Sequence, residues 1–340
     1  MQQTPEGAIG VVDPHARAEN IARPDRSGRG SAAPERLQRP SRLAVGIPTS
    51  GRAALLASVL DRIRRQTRAP DRVLICGSCA SDLEGLDLGT LDARAVISPR
   101  GLTTQRNAIM AHASDCDMLV FFDDDFLPDS RYLENIERVF AANPDVVMVT
   151  GRVIADGILG PGLAPVHALR LLEAVRDEPD QVDGLADVYN GYGCNMSVRL
   201  SAVRSGPLAF DERLPLYGWL EDVDFSRRLA THGRIVRCRL AYGVHLGAKS
   251  GRQSGIRLGY SQIANPIYLA RKGTLARNRA LRQIAKNLAK NAVRSLWPEA
   301  YVDRRGRVRG NLLAAADWWT NRLDPLRVLQ FTPSASPTDK

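Results

Sequence analysis

Short apolar runs alternate with segments of helical periodicity from Leu43 to about residue 150. The runs contain three to five apolar residues and end at proline or polar residues, as buried strands do. Between them, apolar residues recur every three or four positions, which is typical of amphipathic helices. The pattern predicts strands at 43–47, 72–75, 93–97, 118–122 and 146–150 and helices near 55–63, 103–113 and 132–141. We therefore predict an α/β fold with a doubly wound, mostly parallel sheet flanked by helices.

Changes in composition divide the chain into four predicted segments. Residues 1–41 are rich in Pro, Gly, Ala, Arg and Ser and have no apolar periodicity, which predicts a disordered leader. The alternating strands and helices predict one α/β domain at 42–255. A helical, basic C-terminal extension is predicted at 256–330, followed by a flexible tail at 331–340.

The net charge of +10 is concentrated near the C-terminus. From Lys249 onward there are 18 Lys and Arg against 5 Asp and Glu, whereas the preceding residues contain 29 and 32. Between residues 274 and 297 an apolar and a basic row fall on opposite helical faces. This region indicates an anionic partner, either a membrane surface or a diphosphate ligand, and we expect no nucleic acid partner. The alternative is a helix packed on the domain with a solvated basic face. The basic row comprises Arg279, Arg282, Lys286, Lys290 and Arg294, and the apolar row Leu281, Ile284, Ala285, Leu288, Ala292 and Leu296.

Targeting features are few. The first 20 residues contain no apolar segment of signal-peptide length, and no stretch approaches the length of a membrane span. The five cysteines are too scattered for a disulfide framework. We expect a cytoplasmic protein, with a peripheral position on the inner face of the membrane as a further possibility.

Three consecutive aspartates, Asp123, Asp124 and Asp125, follow the apolar run 118–122. Carboxylates at the C-terminal end of a strand lie where open α/β sheets bind ligands. Residues 123 and 125 are two apart and can point the same way on an extended chain, so both can bind one hard divalent ion. The alternative is a solvated acidic turn without a ligand.

A second acidic pair, Glu221 and Asp222, opens a predicted helix directly after Trp219. Acidic residues in a first helical turn are favoured by the helix dipole, so capping explains part of this pattern. A carboxylate held against an apolar wall has a raised pKa and can act as a general base. The sequence therefore predicts two carboxylate sites.

Four motifs in this order resemble those of the family 2 glycosyltransferases, which have the nucleotide-sugar-binding GT-A fold. The resemblance covers about residues 42–250 and makes 42–255 the expected catalytic domain. The membrane helices of processive polysaccharide synthases are missing, which favours the transfer of single sugars. The motifs are Gly46-Ile47-Pro48-Thr49 with Arg52, Gly101-Leu102-Thr103-Thr104-Gln105-Arg106-Asn107, Phe122-Asp123-Asp124-Asp125, and Trp219-Leu220-Glu221-Asp222.

The resemblance implies a nucleotide-sugar donor at the strand ends. Lys249 and Arg252 lie in the Gly/Ser-rich loop 247–255, and we expect them to close over the diphosphate. In relatives an acidic residue near the nucleobase usually ends the second strand, whereas Cys76 stands there in this chain. The other expected donor-binding residues are Pro48, Thr49, Arg52, Arg106, Asp123 and Asp124.

The resemblance also implies a divalent metal, Mn or Mg, that stabilises the leaving diphosphate. Asp125 is the expected direct ligand, Asp123 is expected towards the ribose and in the metal shell, and His245 would complete that shell. Asp124 is expected to point the other way. On the acceptor side, Asp222 is the expected general base.

Glu221 is expected to bind the acceptor or position the base, and Trp219 and Asn195 to contact the acceptor. The implied reaction is an inverting transfer of one sugar from a nucleoside-diphosphate sugar to a carbohydrate or lipid-linked acceptor. Assembly of a bacterial surface polysaccharide or exopolysaccharide is the expected setting. The alternatives are a nucleotidyltransferase and a non-catalytic nucleotide-sugar-binding protein of the same fold.

Overall fold

A computed structural model describes residues 41–176, 184–206, 208–249 and 254–331 of the chain. The predicted leader, apart from Ser41, and the predicted tail, apart from Phe331, lie outside the described residues. Arg252, one of the two basic residues expected to close over the diphosphate, also lies outside them.

The strands of the described residues join in one nine-stranded sheet with the order β3-β2-β1-β4-β8-β6-β9-β5, and β7 also pairs with β9. Six strands run in one direction, whereas β5, β7 and β8 run in the other. The prediction of a mostly parallel sheet is thus confirmed. The strands are β1 (Leu43–Pro48), β2 (Arg72–Gly77), β3 (Ala93–Ile97), β4 (Met118–Phe121), β5 (Phe126–Pro128), β6 (Val146–Asp156), β7 (Leu185–Asp187), β8 (Met196–Arg199) and β9 (Arg234–His245).

Helices cover both faces of the sheet in the described part of the chain. Leu43 and Val45 of β1 contact one core with α1 and α3, whereas Ala44 contacts a second core with α2 and α6. Because both faces of β1 are covered, all six of its residues are buried, which explains its continuous apolar run. The helices are α1 (Ala53–Arg64), α2 (Leu102–His112), α3 (Tyr132–Ala142), α4 (Pro165–Arg176), α5 (Leu200–Arg204), α6 (Glu221–Leu229), α7 (Gly255–Lys272), α8 (Arg277–Leu296) and α9 (Arg304–Trp319).

The C-terminal region is helical, as predicted, and consists mainly of α7, α8 and α9. Glycines let α7 and α9 cross closely: a Cβ atom on Gly310 would lie 2.1 Å from the carbonyl oxygen of Ile256, and one on Gly259 2.1 Å from that of Arg307. Asn291 of α8 donates to Asn311 of α9 at 3.0 Å. Among the described residues, no helix is both long and apolar enough to cross a membrane.

The crossing of α7 and α9 generates a stability prediction. Gly310→Ala should lower the free energy of unfolding by about 1–3 kcal/mol, because the added methyl group overlaps the α7 backbone. This cost should outweigh the helix propensity gained, which is about 1 kcal/mol. Urea denaturation measures the difference, and Ala315→Ser on the exposed side of α9 is the control. A Gly310→Ala protein as stable as the wild type would show that the helices can separate at little cost.

Candidate active site

The aspartate run forms a tight turn at the carboxyl edge of the parallel strands. It links β4 to β5, and the Phe126 N–H donates to the Asp123 carbonyl at 3.0 Å to close the turn. The Asp123 N–H donates to the Cys194 carbonyl at 3.1 Å, which fixes the turn against the segment before β8. The three neighbouring side chains point away from the turn in different directions, and their carboxylates contact different partners.

Asp124 is fully buried and belongs to the strand ends rather than to the open side of the site. Its carboxylate accepts a hydrogen bond from Thr49 Oγ1 at 2.7 Å and pairs with Arg52 Nη2 at 2.8 Å. Burial raises the pKa of Asp124 to about 7, against the opposing charge of Arg52. Asp124 therefore anchors Arg52.

Asp123, Asp125 and His245 form a group that we call the Asp-His cluster. One ligand atom from each residue lies within 4.8 Å of the others, so the three could hold one metal ion. The strand register produces this meeting, because β5 pairs Phe126 with His245 of β9 and so brings His245 beside Asp125. His245 Nε2 lies 3.3 Å from Asp125 Oδ1. Two carboxylates and an imidazole suit a divalent cation such as Mn²⁺ or Mg²⁺.

Asp156 supports the cluster from behind. The parallel pairing of β6 with β9 sets Asp156 opposite His245, and His245 Nδ1 lies 2.8 Å from Asp156 Oδ1. Tyr192 donates its hydroxyl to the other oxygen of Asp156 at 2.8 Å. A carboxylate on the far nitrogen orients a metal-binding histidine and increases its basicity. The arrangement therefore fits a metal ligand.

The charges of the cluster shift its titration. Although burial favours the neutral imidazole, Asp125 and Asp156 raise the pKa of His245 to about 10. Burial likewise opposes the ionisation of Asp125, but the hydrogen bond and charge of His245 lower the pKa of Asp125 to about 2. Without a metal ion, the cluster is thus an ion pair of imidazolium and carboxylate at neutral pH.

Glu221 and Asp222, which we call the acidic pair, begin α6. The preceding Leu220 has a φ of 74°, in the left-handed region that few non-glycine residues adopt. Asp222 accepts hydrogen bonds from the N–H groups of Gly193 at 3.2 Å and of Val223 at 2.8 Å. Burial raises the pKa of both carboxyl groups, and their mutual interaction means that the pair titrates together.

Arg106 connects the acidic pair to the Asp-His cluster. Its guanidinium contacts Glu221 directly, reaches Asp123 at 3.1 Å and donates to the Gly193 carbonyl at 2.7 Å. A Cβ atom on Gly193 would lie 3.0 Å from the Glu221 carboxylate, so a side chain there would crowd these contacts. The two carboxylate groups predicted from the sequence are parts of one site.

Several residues expected to touch a ligand are buried instead. Arg106 has no exposed side-chain surface, and in this structure its guanidinium pairs with carboxylates. Asn195, expected to contact the acceptor, is also fully buried, and its amide bonds to Thr150 at 2.7 Å and Gly151 at 3.3 Å. Pro48 and Thr49 are buried at the end of β1. All four residues lie in supporting positions in this structure, and their expected ligand contacts stay predictions.

The remaining expected residues lie around the site. Arg52 keeps 25% of its side chain exposed beside Asp124 and Asp125. Trp219 is half-buried, and its carbonyl accepts from Asn265 of α7 at 2.7 Å. Lys249 Nζ donates to the carbonyls of Gly157 and Ile158 at 3.1 and 3.2 Å. None of these contacts tests the ligand-binding roles of Arg52, Trp219 and Lys249.

Two buried polar residues that join the loops at the strand ends were missed by the sequence reasoning. Asp82 accepts hydrogen bonds from the N–H groups of Gly51 at 2.6 Å and Ser78 at 2.7 Å, which joins the loops after β1 and β2. Gln105 donates to the carbonyls of Thr49 and Cys76, each at 2.7 Å. The Gly77-Ser78 turn followed by an aspartate was the available signal for Asp82. Asp156 carried no signal beyond its place after a strand.

Residues 44–203 match the family model described as Glycosyl transferase family 2. The match includes Arg106 and the aspartate run, whereas the acidic pair and His245 lie beyond it. Over 131 residues the chain is 30% identical to the O-antigen chain rhamnosyltransferase RfbN of Salmonella typhimurium. The aligned part is 36% of this chain and only 40% of that protein.

Two solved structures are also similar to this chain. The mannosyltransferase PcManGT from Pyrobaculum calidifontis, solved with GDP-Man and Mn²⁺, has a TM-score of 0.46 at 19% identity, with 88% of each chain covered. S. aureus TarS 1-349, solved with UDP-GlcNAc, has a TM-score of 0.45 at 14% identity, covering 83% of this chain and 92% of that one. Both TM-scores lie below 0.5, so the likeness is partial.

The Asp-His cluster generates a prediction about pH. Because His245 has a pKa of about 10, it is protonated at neutral pH and must lose a proton to bind a metal. Mn²⁺ affinity should therefore rise as the pH rises towards that pKa, by roughly tenfold per pH unit, with about one proton released. Calorimetry in buffers of different ionisation enthalpy measures both quantities.

His245→Gln should remove most of this pH dependence, whereas the exposed control Asp92→Ala should keep it. An Mn²⁺ affinity that does not change with pH in the wild-type protein would contradict the assignment of His245 as a ligand.

Proposed function

We propose that this chain, whose residues 44–203 match the model of glycosyl transferase family 2, is a glycosyltransferase. It would transfer one sugar from a nucleoside-diphosphate sugar to an acceptor hydroxyl, with inversion at the anomeric carbon. The observation that carries the proposal is the contact of Arg106 with Asp123 of the Asp-His cluster and Glu221 of the acidic pair. A transfer of this kind needs charge stabilisation at the leaving group and a base at the nucleophile within one site.

On the donor side, the Asp-His cluster would hold the metal, Mn²⁺ or Mg²⁺. Such an ion offsets the negative charge that develops on the leaving nucleoside diphosphate. Arg52 adds a positive charge at the same strand ends, where its exposed part can reach a phosphate oxygen. Asp124 pairs with the Arg52 guanidinium, and Thr49 donates a hydrogen bond to Asp124. Arg52 is therefore oriented before the donor binds.

On the acceptor side, Asp222 is the proposed general base. Its raised pKa brings the carboxylate closer in proton affinity to the acceptor hydroxyl, which favours proton transfer. Glu221 is already engaged by Arg106, so we assign it the positioning of α6 and Asp222. With the base and the leaving group on opposite sides of the anomeric carbon, a single displacement inverts its configuration.

We propose that the acceptor is a carbohydrate, free or carried on a lipid, in the assembly of a bacterial surface polysaccharide. The name of the Salmonella relative, an O-antigen chain rhamnosyltransferase, supports this setting. We propose a cytoplasmic location for the reaction, which the lack of a disulfide among the five described cysteines supports. We propose no nucleic acid partner.

The first prediction for this reaction concerns the metal. Asp125→Ala and the shape-conserving Asp125→Asn should remove nearly all transfer, because each removes a charged ligand of the cluster. The assay is nucleoside diphosphate release with a panel of nucleotide sugars, and Asp92→Ala should behave as wild type. EDTA should abolish the activity and Mn²⁺ or Mg²⁺ should restore it. Full activity in excess EDTA would rule out the metal requirement.

The second prediction separates the two members of the acidic pair. Asp222→Asn should keep donor binding but slow transfer by roughly 10²–10⁴-fold, the usual range for the loss of a general base. Binding of the nucleoside diphosphate is measured by calorimetry, and the anomeric configuration of the product by NMR. An inactive Glu221→Gln beside a fully active Asp222→Asn would mean that the two roles are exchanged. A product with retained configuration would require another mechanism.

A further inference from the structure

Helix α8 exposes an apolar stripe along its length. The sequence left open whether this side packs on the domain, but in α8 only Ala280 and Asn291 are buried. Leu281 is 65% exposed and Leu296 67%, so no described residue covers the two ends of the stripe. Large contiguous apolar surface is uncommon on a monomeric protein and marks an interaction site. The stripe comprises Leu281, Ala285, Leu288, Ala292 and Leu296, all of them exposed.

A basic row lies on the side of α8 away from the stripe, and it too faces solvent. Its five members are exposed, and α8 contains no acidic residue. A second copy of the chain would bring an equally basic row to the same interface, and the like charges would repel. An anionic surface complements the row instead. The basic row comprises Arg279, Arg282, Lys286, Lys290 and Arg294.

Exposed tryptophans lie at the C-terminal ends of both α8 and α9. Trp297 directly follows the helix and is 75% exposed, and Trp319 at the end of α9 is 91% exposed. Indole rings prefer the boundary between water and lipid, because they combine an apolar body with a polar N–H. Arg304 of α9 donates to Asn291 of α8 at 3.2 Å, so the two helices carry their exposed side chains as one unit.

We propose that the stripe and basic row of α8, with Trp297 beside them, bind the surface of an anionic phospholipid membrane. The leucines would enter the boundary between head groups and acyl chains, and the basic row would contact lipid phosphates. This is the binding mode of an interfacial amphipathic helix that lies on a membrane without crossing it.

The position of α8 relative to the acidic pair gives this docking a consequence. Lys272 and Thr274, just before α8, bind Asp224 of α6 at 2.9 and 2.7 Å. In the first turn of α8, Arg279 lies over the Tyr189 ring at 4.3 Å. Tyr189 precedes the segment that bonds to Asp222. The membrane would therefore be held near the proposed acceptor side, which suits a lipid-linked acceptor; this last step rests on the proposed function.

The experiment is cosedimentation of the full-length protein with phosphatidylcholine vesicles that contain or lack phosphatidylglycerol. Binding is expected only with phosphatidylglycerol, and high salt should weaken it. Arg282→Glu with Lys290→Glu should lower the partition coefficient on the order of 30-fold or more. The matched control, Arg94→Glu with Arg239→Glu, makes the same charge change at exposed sites outside α8 and should have little effect.

Leu288→Ser with Leu296→Ser tests insertion of the stripe and should also weaken vesicle binding. Equal binding by this variant, or no binding of the wild type at low salt, would overturn the proposal. A dimer that these serine substitutions dissociate would overturn it as well, in favour of a second copy. No nucleotide sugar is needed, and Asp125→Ala should bind vesicles as the wild type does. Failure of docking and failure of the proposed transfer are therefore distinguishable.

Discussion

One buried charge, the guanidinium of Arg106, fixes the geometry of the site. An arginine without exposed surface needs partners, because removing an unpaired charge from water costs several kcal/mol. Arg106 finds them in Glu221, Asp123 and the Gly193 carbonyl. Loss of one partner in such a network typically costs about 3–5 kcal/mol. The Asp-His cluster and the acidic pair thus cannot move independently, although they lie far apart in the sequence.

The requirements of this ion network extend into the backbone around it. A side chain at residue 193 would crowd Glu221 and Arg106, and Leu220 takes a left-handed conformation where α6 begins. Such a conformation costs of order 1–3 kcal/mol and persists only where the surroundings enforce it. On another side of α6, Asp224 is held by Lys272 at the end of α7. The helix that presents Asp222 is therefore tied to both the sheet and the C-terminal helices.

The sequence predicted what is local and missed what depends on the strand register. Strands and helices as far as residue 150 could be predicted from periodicity, and the Asp-x-Asp spacing predicted a cation site. The contact of Asp156 with His245 could not be predicted, because it depends on the register in which β6 pairs with β9. The burial of Arg106 could not be predicted from the sequence either. The inward side of α2 includes the polar Thr103, Gln105 and Arg106, so apolar periodicity gives no sign of which residues face inward.

The acidic side chains of the site and the basic side chains of α8 lie in different parts of the fold, and folding alone does not require this distribution. The site gathers acidic side chains whose repulsion is offset by Arg52, Arg106 and His245, and a cation would offset it further. The basic residues of α8 are exposed and do not enter this balance. Leu281 and Leu296 of the same helix bury little surface, so they add little to stability and expose apolar area to water. Packing therefore does not explain the outer face of α8, and this is the ground on which we propose an anionic membrane surface as its partner.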